Sequence, residues 1–292
     1  MRTALMVATA AALLVSNGVW ASGPDGVNIP APGLVSMGVQ QNATGFGNSP
    51  GGTQDSPGGS ELDSLWGVIS GGALHLGMAG NLEGNFNKLW IFIDSIPGGE
   101  NTLDNMNTDG GFNEIQNLAG FTFDTGFAPD YAIRLEIGNG FDAIRLANLQ
   151  ANTNSTWVTG GGPGSLPIIR ASAMDASGAV SGWNNANGLG VDGSSAAGAL
   201  TATMGWEFDI PLSALGGGSG ACVSAFITSG DGTFFSNQFL PSLPPGTGNL
   251  GGPPSSINLN QFPGDQFACA VPEPASLGLL ALGLLAFVRR RS

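Results

Sequence analysis

Positive charge is the scarcest property of this sequence. Its 292 residues contain 8 Lys and Arg against 21 Asp and Glu. Four of the basic residues lie at the chain ends, as Arg2 and the run 289–291. When the two end segments are set aside, four basic residues face 20 acidic ones, a net charge of −16. Such a surface repels nucleic acid and anionic lipid, which excludes both as electrostatic partners. It is compatible with cations, neutral polysaccharide or plain solubility.

Histidine is nearly absent, and this limits the chemistry available to the chain. His75 is the only imidazole, and it falls within a predicted strand with no nucleophile motif nearby. A Ser-His-Asp hydrolase would need that imidazole beside a nucleophile. We therefore predict that His75 is an exposed strand residue and that the protein is not an enzyme.

The last residues of the chain, VPEPASLGLLALGLLAFVRRRS, contain three parts in a fixed order. Pro272, Glu273 and Pro274 come first, the uncharged run 275–288 follows, and Arg289, Arg290 and Arg291 come next, directly before Ser292. The run would form about 21 Å of helix, shorter than the hydrocarbon core of about 30 Å. Three adjacent guanidiniums cannot be buried in a small domain, but they suit the cytoplasmic end of a membrane helix.

This order resembles the PEP-CTERM sorting signal of Gram-negative bacteria. The resemblance implies that an exosortase, a membrane protease-transferase, recognises Pro272, Glu273 and Pro274 and processes the protein at the cell surface. An ordinary C-terminal anchor with two incidental prolines is the alternative. Similar tails also occur on proteins labelled ice-binding, a label that would describe the tail and not an activity.

The first 21 residues have the pattern of an export signal. Arg2 provides the positive region, residues 4–15 the apolar region, and Val19-Trp20-Ala21 a small-residue cleavage site. Export exposes the chain to oxidising conditions, where cysteines form disulfides. Cys222 and Cys269 are the two cysteines, so we predict one disulfide; two buried free thiols are the alternative.

A helical period is almost absent from the rest of the chain. Residues 22–59 are dominated by Gly, Pro, Ser, Asn and Gln, which predicts a flexible low-complexity linker. Apolar alternation then predicts an all-β fold over residues 60–270, a single antiparallel β-sandwich of jelly-roll-like type. The predicted strands are 62–69, 73–78, 88–94, 131–137, 143–149, 200–210, 222–229, 233–240 and 266–271. The tail 271–292 would add one membrane helix.

The body also resembles the family-9 carbohydrate-binding and DOMON-like β-sandwiches. A first strand pair, the strand KLWIFID ending in Asp94, and the segment WEFDIPLSALG carry this resemblance. It implies a polysaccharide ligand. Trp157 and Trp183 fall in the predicted loops 152–164 and 178–198, where exposed rings could stack on sugars. Folding of the two rings back onto the sandwich is the alternative.

A short segment, NMNTDG, places oxygen-bearing side chains at alternate positions. Asn105, Asn107 and Asp109 would face one side of a turn, which resembles the first half of a calcium loop. Asn stands where the first Asp of such a loop is expected, and Gln116 stands where the bidentate Glu is expected. A calcium site is therefore one interpretation, and a turn without a cation is the other.

Together these features predict an exported cell-surface or matrix protein that is sorted by an exosortase-type enzyme. Its sandwich would bind extracellular polysaccharide. The alternatives are a structural biofilm or surface component without a small ligand and, more distantly, a secreted hydrolase.

Overall fold

The computed structural model describes residues 23–46, 59–107, 114–138, 141–151, 153–161, 169–174, 178–187 and 196–272. Its strands are β1 (Val35–Val39), β2 (Glu61–Ser70), β3 (Ala73–Asn81), β4 (Asn85–Asp94), β5 (Tyr131–Gly138), β6 (Phe141–Asn148), β7 (Thr153–Gly161), β8 (Ile169–Met174), β9 (Val180–Asn184), β10 (Gly205–Pro211), β11 (Ala221–Thr228), β12 (Phe235–Leu240) and β13 (Ala268–Ala270). One short helix, α1 (Ala196–Ala199), precedes β10, and 3₁₀ turns cover Glu114–Leu118, Leu212–Leu215, Pro254–Ser256 and Leu259–Gln261.

The strands form two antiparallel sheets, as the sequence pattern predicts. The first sheet has the order β1-β2-β3-β10-β9-β8. The second has the order β12-β11-β4-β5-β6-β7, with β13 also paired to β11. Neighbouring strands in the chain mostly stay in one sheet, and the chain changes sheets after β3, β7 and β10. This order differs from the predicted jelly-roll-like order, which is built from Greek keys.

The main core lies between the two sheets. Alternate residues of each strand point inward, so that Leu74, Leu76 and Met78 of β3 face Leu89, Ile91 and Ile93 of β4, all with no exposed surface. Trp206 and Phe208 of β10 belong to the same cluster. Burial of this apolar surface is the main stabilising contribution to such a fold.

A second apolar layer covers the outer face of the second sheet. Phe92 and Phe226 on that face pack against Phe121 and Phe123 from the segment that precedes β5. Ring centroids in this layer lie about 5 Å apart, for example 5.0 Å between Phe121 and Phe235. Because the second sheet is covered on both faces, β4 is apolar on both faces, as its sequence KLWIFID requires.

The N-terminal strap, defined here as residues 23–34, covers part of the outer face of the first sheet. Ile29 and Ala31 are buried against that face, and β1 follows directly as its edge strand. The prediction of a flexible linker over residues 22–59 is therefore wrong for residues 23–46. Gly26, where a Cβ would collide with the backbone of Trp183 and Asn184, allows a close backbone approach, although a glycine-rich composition is also typical of disordered segments.

The segment after β1 is held by buried amide side chains instead of regular pairing. Asn42 accepts hydrogen bonds from Gly246 N–H and Thr247 N–H and donates to the carbonyl of Leu243. Gln238 of β12 accepts from the backbone of Leu62 and donates to the carbonyl of Asn42. These bonds connect the N-terminal part of the chain with β12 and the loop that follows it. Each amide side chain bonds backbone groups that have no partner in a strand ladder.

Glu207 anchors the strap to the first sheet. The backbone N–H groups of Asp25 and Gly26 both donate to Glu207 Oε2, at 2.8 Å each. Glu207 is flanked in register by Gly77 of β3 and Gly182 of β9. A Cβ at residue 182 would collide with the backbone of the strap, so glycine is what lets the two backbones meet. Burial raises the pKa of the Glu207 carboxyl to about 7, although the two N–H donors act in the opposite direction.

Two predicted surface loops contain regular structure. The first, 152–164, includes β7, and the second, 178–198, includes β9 and the start of α1. Both predictions are wrong in these parts, because glycine, asparagine and serine occur within the strands themselves, as in TNSTWVTGG.

We expect stability to fall as Glu207 ionises. Folding raises its pKa from the ordinary value of 4.5 to about 7, so the protonated carboxyl is favoured in the folded state. The contribution is complete below pH 4.5 and is lost as the pH rises through about 7, on the order of 3 kcal/mol in total. Glu207→Gln keeps an oxygen acceptor for both N–H groups and removes this dependence. Urea unfolding from about pH 5 to about pH 8 measures it. Asp265→Asn, at an exposed position away from the strap, is the matched control; a Glu207→Gln profile identical to the wild type would contradict the assignment.

Candidate functional site

The C-terminal strand is fixed to the second sheet by backbone pairing and a covalent bond. β13 pairs antiparallel with the start of β11, which places Cys269 directly opposite Cys222. The structure joins these two cysteines by a disulfide, the pair predicted from the sequence. Cys222 also lies opposite Asp94 of β4, so the disulfide secures β13 to a strand that is paired on its other side with β4.

Beyond β13 the chain crosses from the second sheet to the first. The carbonyl of Val271 accepts a hydrogen bond of 3.0 Å from the backbone N–H of Ile69, in β2. Pro272 forms a parallel bridge with the same residue. Val271 and Pro272 thus extend the first sheet past the start of β1, which pairs with β2 two residues earlier, at Gly67. Sequence reasoning missed this contact; the only signal for it is the apolar Val271 that continues the final strand.

Pro272, the first residue of the predicted sorting tripeptide, is the last residue that the structure describes. It is exposed at the edge of the first sheet. Glu273, Pro274, the apolar run 275–288 and the arginine cluster Arg289, Arg290 and Arg291 lie outside the described residues, as does the predicted export signal. Among the residues that are described, no helix is both long enough and apolar enough to span a membrane.

The two predicted sugar-stacking tryptophans have different outcomes. Trp183 lies in β9 opposite Trp206, is 2% exposed and belongs to the main core. Its prediction as an exposed loop ring is wrong, because the side chain points between the sheets. Trp157 lies in β7 opposite the bulge between Ile144 and Arg145, and its side chain is outside the described part.

The predicted calcium loop is described only in part. Asn107 is buried, and its side-chain N–H₂ donates to the carboxylates of Glu100, at 2.8 Å, and Asp104, at 3.3 Å. Asn105 is exposed, and Asp109 lies outside the described residues. Among those described, no group of three or more His, Cys, Asp and Glu side chains is arranged to hold a metal ion. The calcium site stays a prediction, and Asn107 holds the two carboxylates of this turn by hydrogen bonds.

The sequence predicted that His75 is exposed, and this prediction is wrong. It is 8% exposed on the outer face of β3. Its Nδ1 lies 3.6 Å from Asp209 Oδ1, and its Nε2 lies 3.2 Å from the carbonyl oxygen of Ser70. The ring thereby connects β3 to β10 and to the end of β2, a role that needs no catalytic chemistry.

Two of the four basic residues of the body are inside the protein. Lys88 and Arg134 lie on the outer face of the second sheet, and both contact Glu136. Lys88 Nζ lies 2.5 Å from Glu136 Oε2, and Arg134 Nη2 lies 3.3 Å from Glu136 Oε1. All three are at most 3% exposed. Because these cations are enclosed, they contribute little to the charge at the surface, but acidic side chains such as Glu61, Asp63 and Glu83 are enclosed as well.

Comparison with known proteins identifies one segment. Residues 270–292 match the PEP-CTERM protein-sorting motif. The match begins at Ala270, inside β13, and therefore overlaps the folded sandwich by three residues. No curated protein and no solved structure matches the chain. The carbohydrate-binding resemblance of the body thus has no support from a relative.

We expect the disulfide to contribute strongly to stability. It joins residues separated by 47 positions, and closing a loop of that size stabilises the folded state by about 4 kcal/mol in the chain-entropy description. A Cys222→Ser, Cys269→Ser variant should lose about that much free energy of unfolding, measured by urea denaturation.

The matched comparison is the wild type under reducing conditions, which should fall to the level of the double variant. Intact-mass analysis of the unreduced wild type after alkylation gives an independent readout. Addition of two alkyl groups would show free thiols and contradict the assignment.

Proposed function

We propose that this protein is exported, held briefly in the membrane by its C-terminal tail, and transferred to the cell surface by an exosortase-type enzyme. The match of residues 270–292 to the PEP-CTERM sorting motif carries this proposal. The motif follows a folded all-β body directly, and that body is crosslinked to its last strand by Cys222 and Cys269. A disulfide is the expected crosslink for a domain that works outside the cytoplasm.

At the surface, the sandwich would act as a structural component. Its large aromatic side chains support this role: the aromatic rings of the second sheet form an enclosed layer, and Trp183 belongs to the main core. Exposed acidic side chains, among them Asp104, Asp231 and Asp265, give the described surface a negative charge, which suits a component that must stay soluble at high local density.

Binding of extracellular polysaccharide is the second candidate. It is supported by the sequence resemblance of the body and by Trp157 in β7, the remaining tryptophan of the predicted pair. The acidic surface favours a neutral polysaccharide over an anionic one.

The sorting proposal predicts that the tripeptide is required for processing. Because Pro272 is paired to Ile69, the test should leave it in place and change its neighbours. In a Glu273→Ala, Pro274→Ala variant expressed in the host, the full-length precursor should accumulate in the membrane and the processed form should disappear from the surface. Val271→Ala, which changes an exposed side chain outside the tripeptide, is the control. Normal processing of the double variant would count decisively against the proposal.

Affinity electrophoresis against a panel of neutral polysaccharides separates the two roles of the body. The structural role predicts unchanged mobility in every gel. The binding role predicts retardation by at least one polysaccharide and its loss in Trp157→Ala. A stacked ring contributes on the order of 1 kcal/mol beyond area burial, and its truncation should weaken retention several-fold. Retardation that survives Trp157→Ala would remove Trp157 from the binding hypothesis.

A further inference from the structure

Glu207 is a buried carboxyl group of which only one oxygen has a donor. Its neighbours in β10, Trp206 and Phe208, point into the main core, so Glu207 points to the outer face of the first sheet. It is 1% exposed beneath the strap. Its Oε2 accepts from the N–H groups of Asp25 and Gly26. Its Oε1 is buried and has no hydrogen-bond partner among the described residues. Such an oxygen costs free energy unless a donor reaches it.

The charges beside Glu207 are negative. Burial is the main cause of its raised pKa, and the neighbouring carboxyl of Asp25 adds to the rise. The residues that flank Glu207 in β3 and β9 are both glycines and carry no charge. Two positions further along β10, Asp209 lies beside His75, so that imidazole already has a carboxylate of its own. The two carboxyls under the strap therefore lack a positively charged partner in the described part of the chain.

The basic residues of the body lie elsewhere in the fold. Lys88, Arg134 and Arg145 belong to strands of the second sheet. Arg170 lies in β8, two strands away from β10, and pairs in register with Trp183. A cation for the two carboxyls must therefore come from another part of the chain or from outside it.

The strap brings the amino-terminal side of the chain to this place. Its backbone at residues 24 and 25 lies against β9, where a Cβ on Gly182 would collide with the carbonyl group of Pro24. Gly23 has a φ of 81°, in the left-handed region that turns the chain. Residues 22–25 have the length of one tight turn, in which the first and fourth Cα atoms lie within about 7 Å. An amino group at position 22 can therefore reach the carboxyl group that Asp25 N–H contacts.

The predicted export signal ends directly before this position. Its cleavage site, Val19-Trp20-Ala21, makes Ser22 the first residue of the exported chain. Hydrolysis of the bond between Ala21 and Ser22 consumes one water and releases the signal with a free carboxylate. It converts the Ser22 nitrogen from an uncharged amide with one N–H into an amino group with a pKa of about 7.7 to 8.0. At neutral pH most of these groups are ammonium ions with three N–H donors.

We propose that the Ser22 ammonium pairs with Glu207 and Asp25, so that removal of the export signal fixes the strap to the first sheet. The inference rests on the proposed export. The ammonium supplies both the donor for Glu207 Oε1 and the positive charge that two adjacent carboxyls require. A chain in which Ser22 is still joined to Ala21 has neither. The pH dependence described above for Glu207 is therefore that of the uncleaved chain.

Two exported proteins that differ in the position of the ammonium test the pair. One has the natural sequence, and the other carries Gly-Ser-Gly directly before Ser22, which moves the same charge three residues away. Amide hydrogen exchange at Asp25 and Gly26, whose N–H groups bind Glu207, should be about tenfold slower in the natural protein at about pH 7. The factor is that of a pairing that shifts a pKa by one unit.

Acetylation of the natural protein gives a second comparison, which does not depend on where the variant is cleaved. Lys88 is the only lysine of the chain and is 2% exposed, so an amine-directed reagent reacts first with the amino group of Ser22. Acetylation should speed the exchange as the insertion does. Leu103 and Gly120, whose backbones pair over the second sheet, should exchange equally in all three proteins.

The pKa of the Ser22 amino group, measured by NMR titration, should lie about one unit above its ordinary value. Because the pKa is raised in the folded state, the pairing is complete below about pH 8 and is lost as the pH rises through about 9. Glu207→Gln should return this pKa to its ordinary range. Asp265→Asn, at an exposed position, removes the same charge and should leave it raised.

Amino-terminal sequencing of the exported protein separates the possible failures. A chain that still begins at Met1 would overturn both the export and the inference. A first residue other than Ser22 would overturn the inference and leave the export standing. A chain that begins at Ser22, but whose exchange is unchanged by acetylation, would overturn the inference alone.

Discussion

The crossing of the chain from β13 to the edge of β2 is the constraint on which the functional arrangement depends. Cys269 is bonded to Cys222 in the second sheet, and two residues later the Val271 carbonyl is bonded to Ile69 in the first sheet. The last strand therefore closes the sandwich at one corner and delivers Pro272 to its edge. The sorting signal consequently has no linker of its own, and any enzyme that recognises it must work against a folded surface.

Side-chain hydrogen bonds take the place of regular strand pairing in several parts of the fold. With 49 glycines, the chain has long connections that strands alone cannot stabilise. Buried amide side chains replace the missing pairing: Asn101 donates to three carbonyls around residues 123–127, and Asn187 bonds the backbone of Gly80 and Met204. Each buried backbone group that lacks a strand partner would otherwise cost free energy. A polar composition is typical of disordered segments, but here the polar side chains hold the loops that cover the two apolar layers.

The sequence predicted the parts of the fold in which apolar residues alternate. The strands β2 to β5, β11 and β12 were predicted near their observed positions, because their inward faces are almost wholly apolar. β1, β7, β8 and β9 were missed, and in β1, β7 and β9 glycine and serine weaken the apolar alternation. Trp183 is an example. The polar residues around it predicted a loop, but in the structure it lies opposite Trp206 of β10 and belongs to the core. The Glu207 contact with the strap joins residues some 180 positions apart, and no local pattern could reveal it.

The sorting signal begins within the folded body, and we therefore expect processing to leave the disulfide-bonded last strand intact. Intact mass of the surface form, purified without reduction, tests this most directly. We expect a C-terminus between Pro272 and Ala275, with Cys222 and Cys269 still joined. A surface form that ends before Cys269, or one that retains the run 275–288, would contradict it.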